Sequence, residues 1–144
     1  MFTQDRDRMR RYFLDVWRKA RQGASLEPLE QQIAGIVRAH PEYHALLGDG
    51  GNALTREFLP GDGQANPFLH LSLHLAVLEQ VGTDRPAGIR AIYQRLVSRT
   101  GDPHEAEHRI MDCLAESIWE AQRAGRAPDE TAYMACLQRG STAG

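Results

Sequence analysis

Cysteine is scarce, aromatic residues are few, neither sign of charge dominates, and long apolar runs are missing. With 2 Cys in 144 residues there is no disulfide scaffold, and a reducing cytoplasm is the expected setting. Cys113 and Cys136 form no CxxC and lie in helical patterns, so they read as small buried hydrophobes. No run of about 18 apolar residues occurs, which excludes a membrane span. The start of the chain, Met1 to Arg11, reads as too polar for a signal peptide. Lys+Arg 17 against Asp+Glu 19 give a net charge of −2, without the basic balance of a general nucleic-acid binder. No stretch alternates apolar and polar residues between turns, so no sheet is expected. A CxxCH motif is missing, which excludes haem attached that way, and Asp49 and Asp62 among their glycines do not fit a calcium loop.

What is present is helical spacing. Met9, Tyr12, Phe13, Val16, Trp17 and Ala20 recur at three and four residues, and Gly23 ends the stripe. The first 21 residues carry seven Lys/Arg and three Asp, so this helix has a basic face that packing leaves solvated. A second stripe runs through Leu26, Leu29, Ile33, Ile36 and Val37, and Pro41 predicts a break at His40–Pro41. Gly48 to Ala65, with five Gly and one Pro, reads as a long loop.

Asn66-Pro67 is written as a helix start, with Asn at the cap and Pro at the first position. The helix that follows, about 67–81, is apolar nearly all round and is expected at the centre of the fold, with Gly82 as its stop. Ile89, Ile92, Tyr93, Leu96 and Val97 mark one face of a helix over Pro86–Arg99. Asp102-Pro103, with Glu105 three residues past the cap, resembles a capping box and opens a helix to about Ala124. A last helix over Asp129–Arg139 precedes a frayed tail at 140–144. The fold class is therefore all-α: a single-domain bundle over 1–144, of five or six helices.

The six His fall into three pairs spaced by four: His40/His44 in HPEYH, His70/His74 in HLSLH, and His104/His108 in HEAEH. Random placement would give about 0.2 such pairs, by counting matches to the spacing. Residues four apart share a helix face, about 5–6 Å between Cβ atoms, so two imidazoles can converge on one ion. His70 and His74 share a stripe with Val77 and Val81, and His104, Glu107 and His108 lie on or beside the arc of Ile110, Met111 and Leu114. Burying several neutral imidazoles costs desolvation that an ion offsets directly. His70, His74, His104 and His108, with His44 and His40 added, are thus the candidate metal ligands, and Glu107 is the candidate catalytic proton acceptor beside an open coordination position. Imidazole suits zinc, iron, copper and nickel, and a carboxylate alongside shifts the choice toward iron or manganese, so iron or zinc is expected first, with nickel or manganese next. Glu105-x-x-His108 is the only Glu-x-x-His match of the di-iron bundle pattern around these pairs, without a second copy.

The strings Tyr12-Phe13-Leu14-Asp15-Val16-Trp17-Arg18-Lys19, HPEYH, Asn66-Pro67-Phe68-Leu69-HLSLH, Gly88-Ile89-Arg90 and HEAEH resemble a proteobacterial family known as domain of unknown function 1841. The resemblance spans almost the whole chain and implies a small cytosolic bacterial protein without an assigned activity. There is a looser likeness to His-rich metal-binding bundles such as the hemerythrin and DinB-like groups, whose bridging carboxylates at set positions after His have only partial counterparts here, Asp112 after His108 and Glu107. The sequence thus predicts a metal-binding helical bundle whose ion serves hydrolysis, redox chemistry or sensing. Its partner is the metal ion, with no nucleic acid and no membrane span, and substrate and oligomeric state are left open. The alternative is a helical interaction module in which the His are hydrogen-bonded core residues.

Overall fold

Helix boundaries in this chain are set by proline, glycine and short polar side chains. The computed structural model describes residues 2–48, 53–54 and 66–142. Its elements are α1 (Phe2–Arg21), α2 (Pro28–Arg38), a 3₁₀ turn (Pro41–Tyr43), α3 (His44–Gly48), α4 (Pro67–Thr83), α5 (Ile89–Thr100), α6 (Pro103–Ala124) and α7 (Glu130–Thr142). No strand occurs among the described residues, so the fold is all-α. The Gly-rich stretch 48–65 lies outside the described residues apart from Gly48, Ala53 and Leu54. Two compact units divide the chain, Met1–Ser72 and Leu73–Gly144, with the division inside α4.

In the first unit, Phe13, Val16 and Trp17 of α1 and Ile33, Ala34, Ile36 and Val37 of α2 are buried, as their spacing predicts. Gly23, with φ of 72°, follows α1. Arg10 is also buried, at 3% exposure, where the apolar pattern gives no place for it. Its Nη1 donates to the Ala53 carbonyl at 3.1 Å, and its guanidinium lies 4.8 Å from the Phe68 ring centroid. A buried charge needs such partners. Lys19 pairs with Glu30 at 2.8 Å and Glu30 also accepts from the Glu27 N–H, which ties α1 to α2.

In the second unit, Val77, Ile89, Ile92, Leu96, Ala106, Ile110, Met111, Tyr133 and Leu137 form one core. Gly101 and Gly125, with φ of 72° and 65°, end α5 and α6 in the left-handed conformation that glycine adopts without a Cβ clash.

Several boundaries differ from the expectation. The chain stays helical through Gly82 to Thr83, and it is Asp84, with φ of 53°, that leaves the helix. Asp84 Oδ1 then accepts from the Gly88 and Arg90 N–H groups, so α5 starts at Ile89 and not at Pro86. On α4 the fully buried stripe is Phe68, Leu71, His74 and Val77, while Leu69 is 56% exposed. The expected frayed tail is helical as far as Thr142, because Ser141 is buried and its Oγ accepts from Arg95 Nη1 at 3.1 Å.

The larger correction concerns the cysteines. Cys113 and Cys136 are joined as a disulfide that links α6 to α7. Cys113 is buried as its helical pattern predicts and Cys136 only partly so, and a separation of 23 residues carries no information about their distance in space.

Candidate metal centre

Asn66 and Asp102 start the two helices that carry four of the six histidines. Asn66 Oδ1 accepts from the N–H groups of Phe68 and Leu69, with Pro67 at the first position of α4. Asp102 Oδ1 accepts from the His104 N–H at 3.0 Å, with Pro103 at the first position of α6. The expected second half of a capping box is not made. Glu105 turns to Arg109 at 3.5 Å, and the Asp102 N–H donates to Thr100 Oγ1 instead.

In the second unit, His74 of α4 meets His104 and His108 of α6. Each offers a ring nitrogen, and these nitrogens lie within 4.8 Å of one another. His74 Nε2 and His108 Nε2 are 3.0 Å apart, and the His104 and His108 ring centroids are 4.2 Å apart. Ligands bound at about 2.0–2.1 Å sit about 3.3 Å apart at tetrahedral angles and about 2.9 Å apart at right angles. The His74–His108 spacing already satisfies that requirement, with a His104 nitrogen within 4.8 Å. His74 is fully buried, and His104 and His108 are half-buried.

Glu107 fixes the direction of His74. Its Oε1 lies 3.3 Å from His74 Nδ1. On the other side of the ring, His74 Nε2 faces His108 Nε2 at 3.0 Å. A carboxylate behind a histidine, with the far nitrogen facing an ion, is the usual support of a metal-bound imidazole. Glu107, half-buried, thus lies beside the histidines, where the sequence places it. Asp112, the partial counterpart of a bridging carboxylate, is exposed.

In the first unit, Pro41 has no N–H and stops α2, whose Ile36 and Val37 carbonyls accept short-range bonds from the Ala39 and His40 N–H groups. His40 Nδ1–H donates to the Ile36 carbonyl at 2.7 Å, and His44 Nε2–H donates to the Val37 carbonyl at 2.8 Å. Both histidines thus cap the helix, a role that basic and imidazole side chains near a helix C-terminus commonly take. His44 also lies 4.7 Å from the Trp17 ring centroid. His40 keeps Nε2 for another contact, 3.0 Å from His70 Nε2, and is stacked on Tyr43 with centroids 5.2 Å apart.

Residues 5–139 match the family model described as Domain of unknown function (DUF1841). The chain belongs to this family. Nothing matches it among curated proteins or among solved structures. For this DUF1841 chain, the chemistry therefore has to be argued from the side chains themselves.

Proposed function

We propose that this chain binds a first-row transition-metal ion through His74, His104 and His108, with Glu107 orienting His74. The observation that carries the reading is the convergence of three imidazole nitrogens from α4 and α6 within 4.8 Å. It is joined by a carboxylate on the far nitrogen of the buried His74. An all-imidazole set suits iron, zinc, copper or nickel, and iron or zinc is the first choice we infer. Three protein ligands leave a further position for a small molecule, the pattern of catalytic more than of structural zinc sites. Metal-assisted hydrolysis is the reaction class this favours, with redox chemistry or sensing following if the ion is iron. His40 and His70 are proposed as a second ligand pair in their own unit, on the 3.0 Å separation of their Nε2 atoms. His44 is included only on the sequence pattern. The 3.3 Å approach to His74 Nδ1 supports an orienting role for Glu107 over that of catalytic base. A cytoplasmic protein of bacterial origin is the setting we infer.

A second reading has its own observation. Two His–His nitrogen separations of 3.0 Å are also hydrogen-bond distances, as expected of a metal-free interaction module with paired core imidazoles. Elemental analysis of untagged protein, purified without added metal, separates the two. The metal reading expects near-stoichiometric iron, zinc, nickel or manganese that disappears in a His74→Ala/His108→Ala variant with unchanged helicity. Metal-free protein whose melting temperature ignores each added ion overturns it in favour of the second.

A further inference from the structure

The second unit holds another chemically active pair, and its surroundings bear on what it reacts with. Cys113 and Cys136 form a disulfide in the wall of a cavity of about 400 Å³ between α6 and α7. The two sulfurs are unequal. Cys113 sits in the core beside residues such as Ile110 and Leu137, at 8% exposure, whereas Cys136 is only partly buried against that core. Charged side chains of both signs line the same cavity. Glu116 Oε2 is 3.9 Å from Cys136 Sγ, and Arg126 and Arg139 line the space as well. Other carboxylates there are already engaged: Glu120 pairs with Arg123, and Asp129 Oδ1 accepts from the Ala132 N–H.

We propose that this cavity is a thiol–disulfide exchange site for a zwitterionic low-molecular-weight thiol. The ammonium of such a molecule faces Glu116, and its carboxylate faces the guanidinium of Arg126. Its thiolate attacks Cys136 Sγ, the better exposed sulfur, because access decides which sulfur reacts. A sulfur–sulfur bond forms between the incoming thiol and Cys136 as the Cys113–Cys136 bond breaks. The electron pair of the broken bond leaves on Cys113 Sγ, which takes up the proton that the incoming thiol has lost. One thiol and one disulfide are consumed, and one mixed disulfide and one thiol are made. The Cys113 thiol is then a small hydrophobe in a core that already accommodates it. In a reducing compartment, cysteine pairs of this kind are typically reactive and not inert braces. The inference is independent of the metal centre.

The test uses the full chain, first oxidised with excess oxidised glutathione and freed of reagent. Reduced glutathione and, separately, mercaptoethanol are then added without denaturant, and adducts are mapped by mass spectrometry. The expected result is one glutathione adduct on Cys136 with Cys113 open to alkylation. In Arg126→Ala and Glu116→Gln variants, glutathione should react about fivefold more slowly, the size of an exposed ion pair, while the mercaptoethanol rate is unchanged. That second rate also shows that the variants are folded. Two free thiols after oxidation, an adduct on Cys113, reaction only in denaturant, or equal effects on both thiols would each overturn the proposal.

Discussion

Glu107 and Glu30 are two carboxylates held for different reasons, and each makes a prediction. Glu107 Oε1 lies 3.3 Å from His74 Nδ1, so under the proposed metal reading its effect on an ion is exerted through His74. Glu107→Ala should weaken binding by about 10–100-fold, the usual consequence of removing such a support. Titration against a chelator competitor of known affinity measures this, and unchanged affinity would assign Glu107 elsewhere. Glu30 meets the Lys19 ammonium at 2.8 Å, and that hydrogen bond, with a second from the Glu27 N–H, holds its carboxyl below the usual value of 4.5. The folded state therefore binds this proton less readily than the unfolded state does. The resulting stability is present above about pH 4.5 and is lost as pH falls through the lowered folded value. Glu30→Gln should flatten that part of the stability profile, measured by urea unfolding from pH 6 down to about pH 3, where the unfolded carboxyl has titrated. Lys19 contributes the mirror image: its ammonium is held above the ordinary 10.5, first by the same hydrogen bond. Its share persists below that value and fades only as pH rises past the raised one.

At the scale of the helix, local chemistry was legible wherever a short polar side chain or a glycine acts on its immediate neighbours. Asn66-Pro67, Asp102-Pro103, Gly101 and Gly125 all end or begin helices where the sequence places them. Asp102→Ala removes the bond to the His104 N–H and should cost about 1 kcal/mol, as lost N-caps do. Urea unfolding at neutral pH checks this, and Asp102→Asn should restore most of the loss. The pairing of histidines at a spacing of four was legible for the same reason, since one helical turn brings such residues to one face. Roles that depend on a distant partner were not. HPEYH reads as a ligand pair, and the capping bonds that His40 and His44 also make to the Ile36 and Val37 carbonyls go unseen in the sequence. A polar capping role leaves no mark in hydrophobic periodicity. Arg10 escaped notice because its justification is the Ala53 carbonyl, 43 residues away. The disulfide escaped because burial at each cysteine does not specify a partner. Gly82 was misread because glycine permits a left-handed turn without requiring one, and Asp84 takes it.

For the chain as a whole, each unit has a buried apolar set of its own, Phe13, Val16, Trp17, Ile33 and Val37 in one and the Ile89–Ile110–Leu137 core in the other. Cores of this kind fold without an ion, unlike small domains that lack sufficient apolar burial. Metal should therefore raise stability without creating structure. The proposed ligands come from α4 and α6, so the bound ion joins elements that unfolding separates and binds the native state in preference to the unfolded one. Linkage then sets the size of the gain at about 2.7 kcal/mol when free metal is 100 times its dissociation constant. A chelator-treated sample should keep its helical circular dichroism and show a lower melting temperature, restored by adding back the native ion. Because ligation needs unprotonated imidazoles, the increment should shrink on acidification. His104→Ala should lower the increment and leave the apo melting temperature nearly unchanged, since this half-buried ring belongs to no apolar core. Loss of helicity on chelation would instead make the ion a structural element. An apo temperature that falls as far in His104→Ala as the increment itself would show the imidazoles stabilising one another without metal.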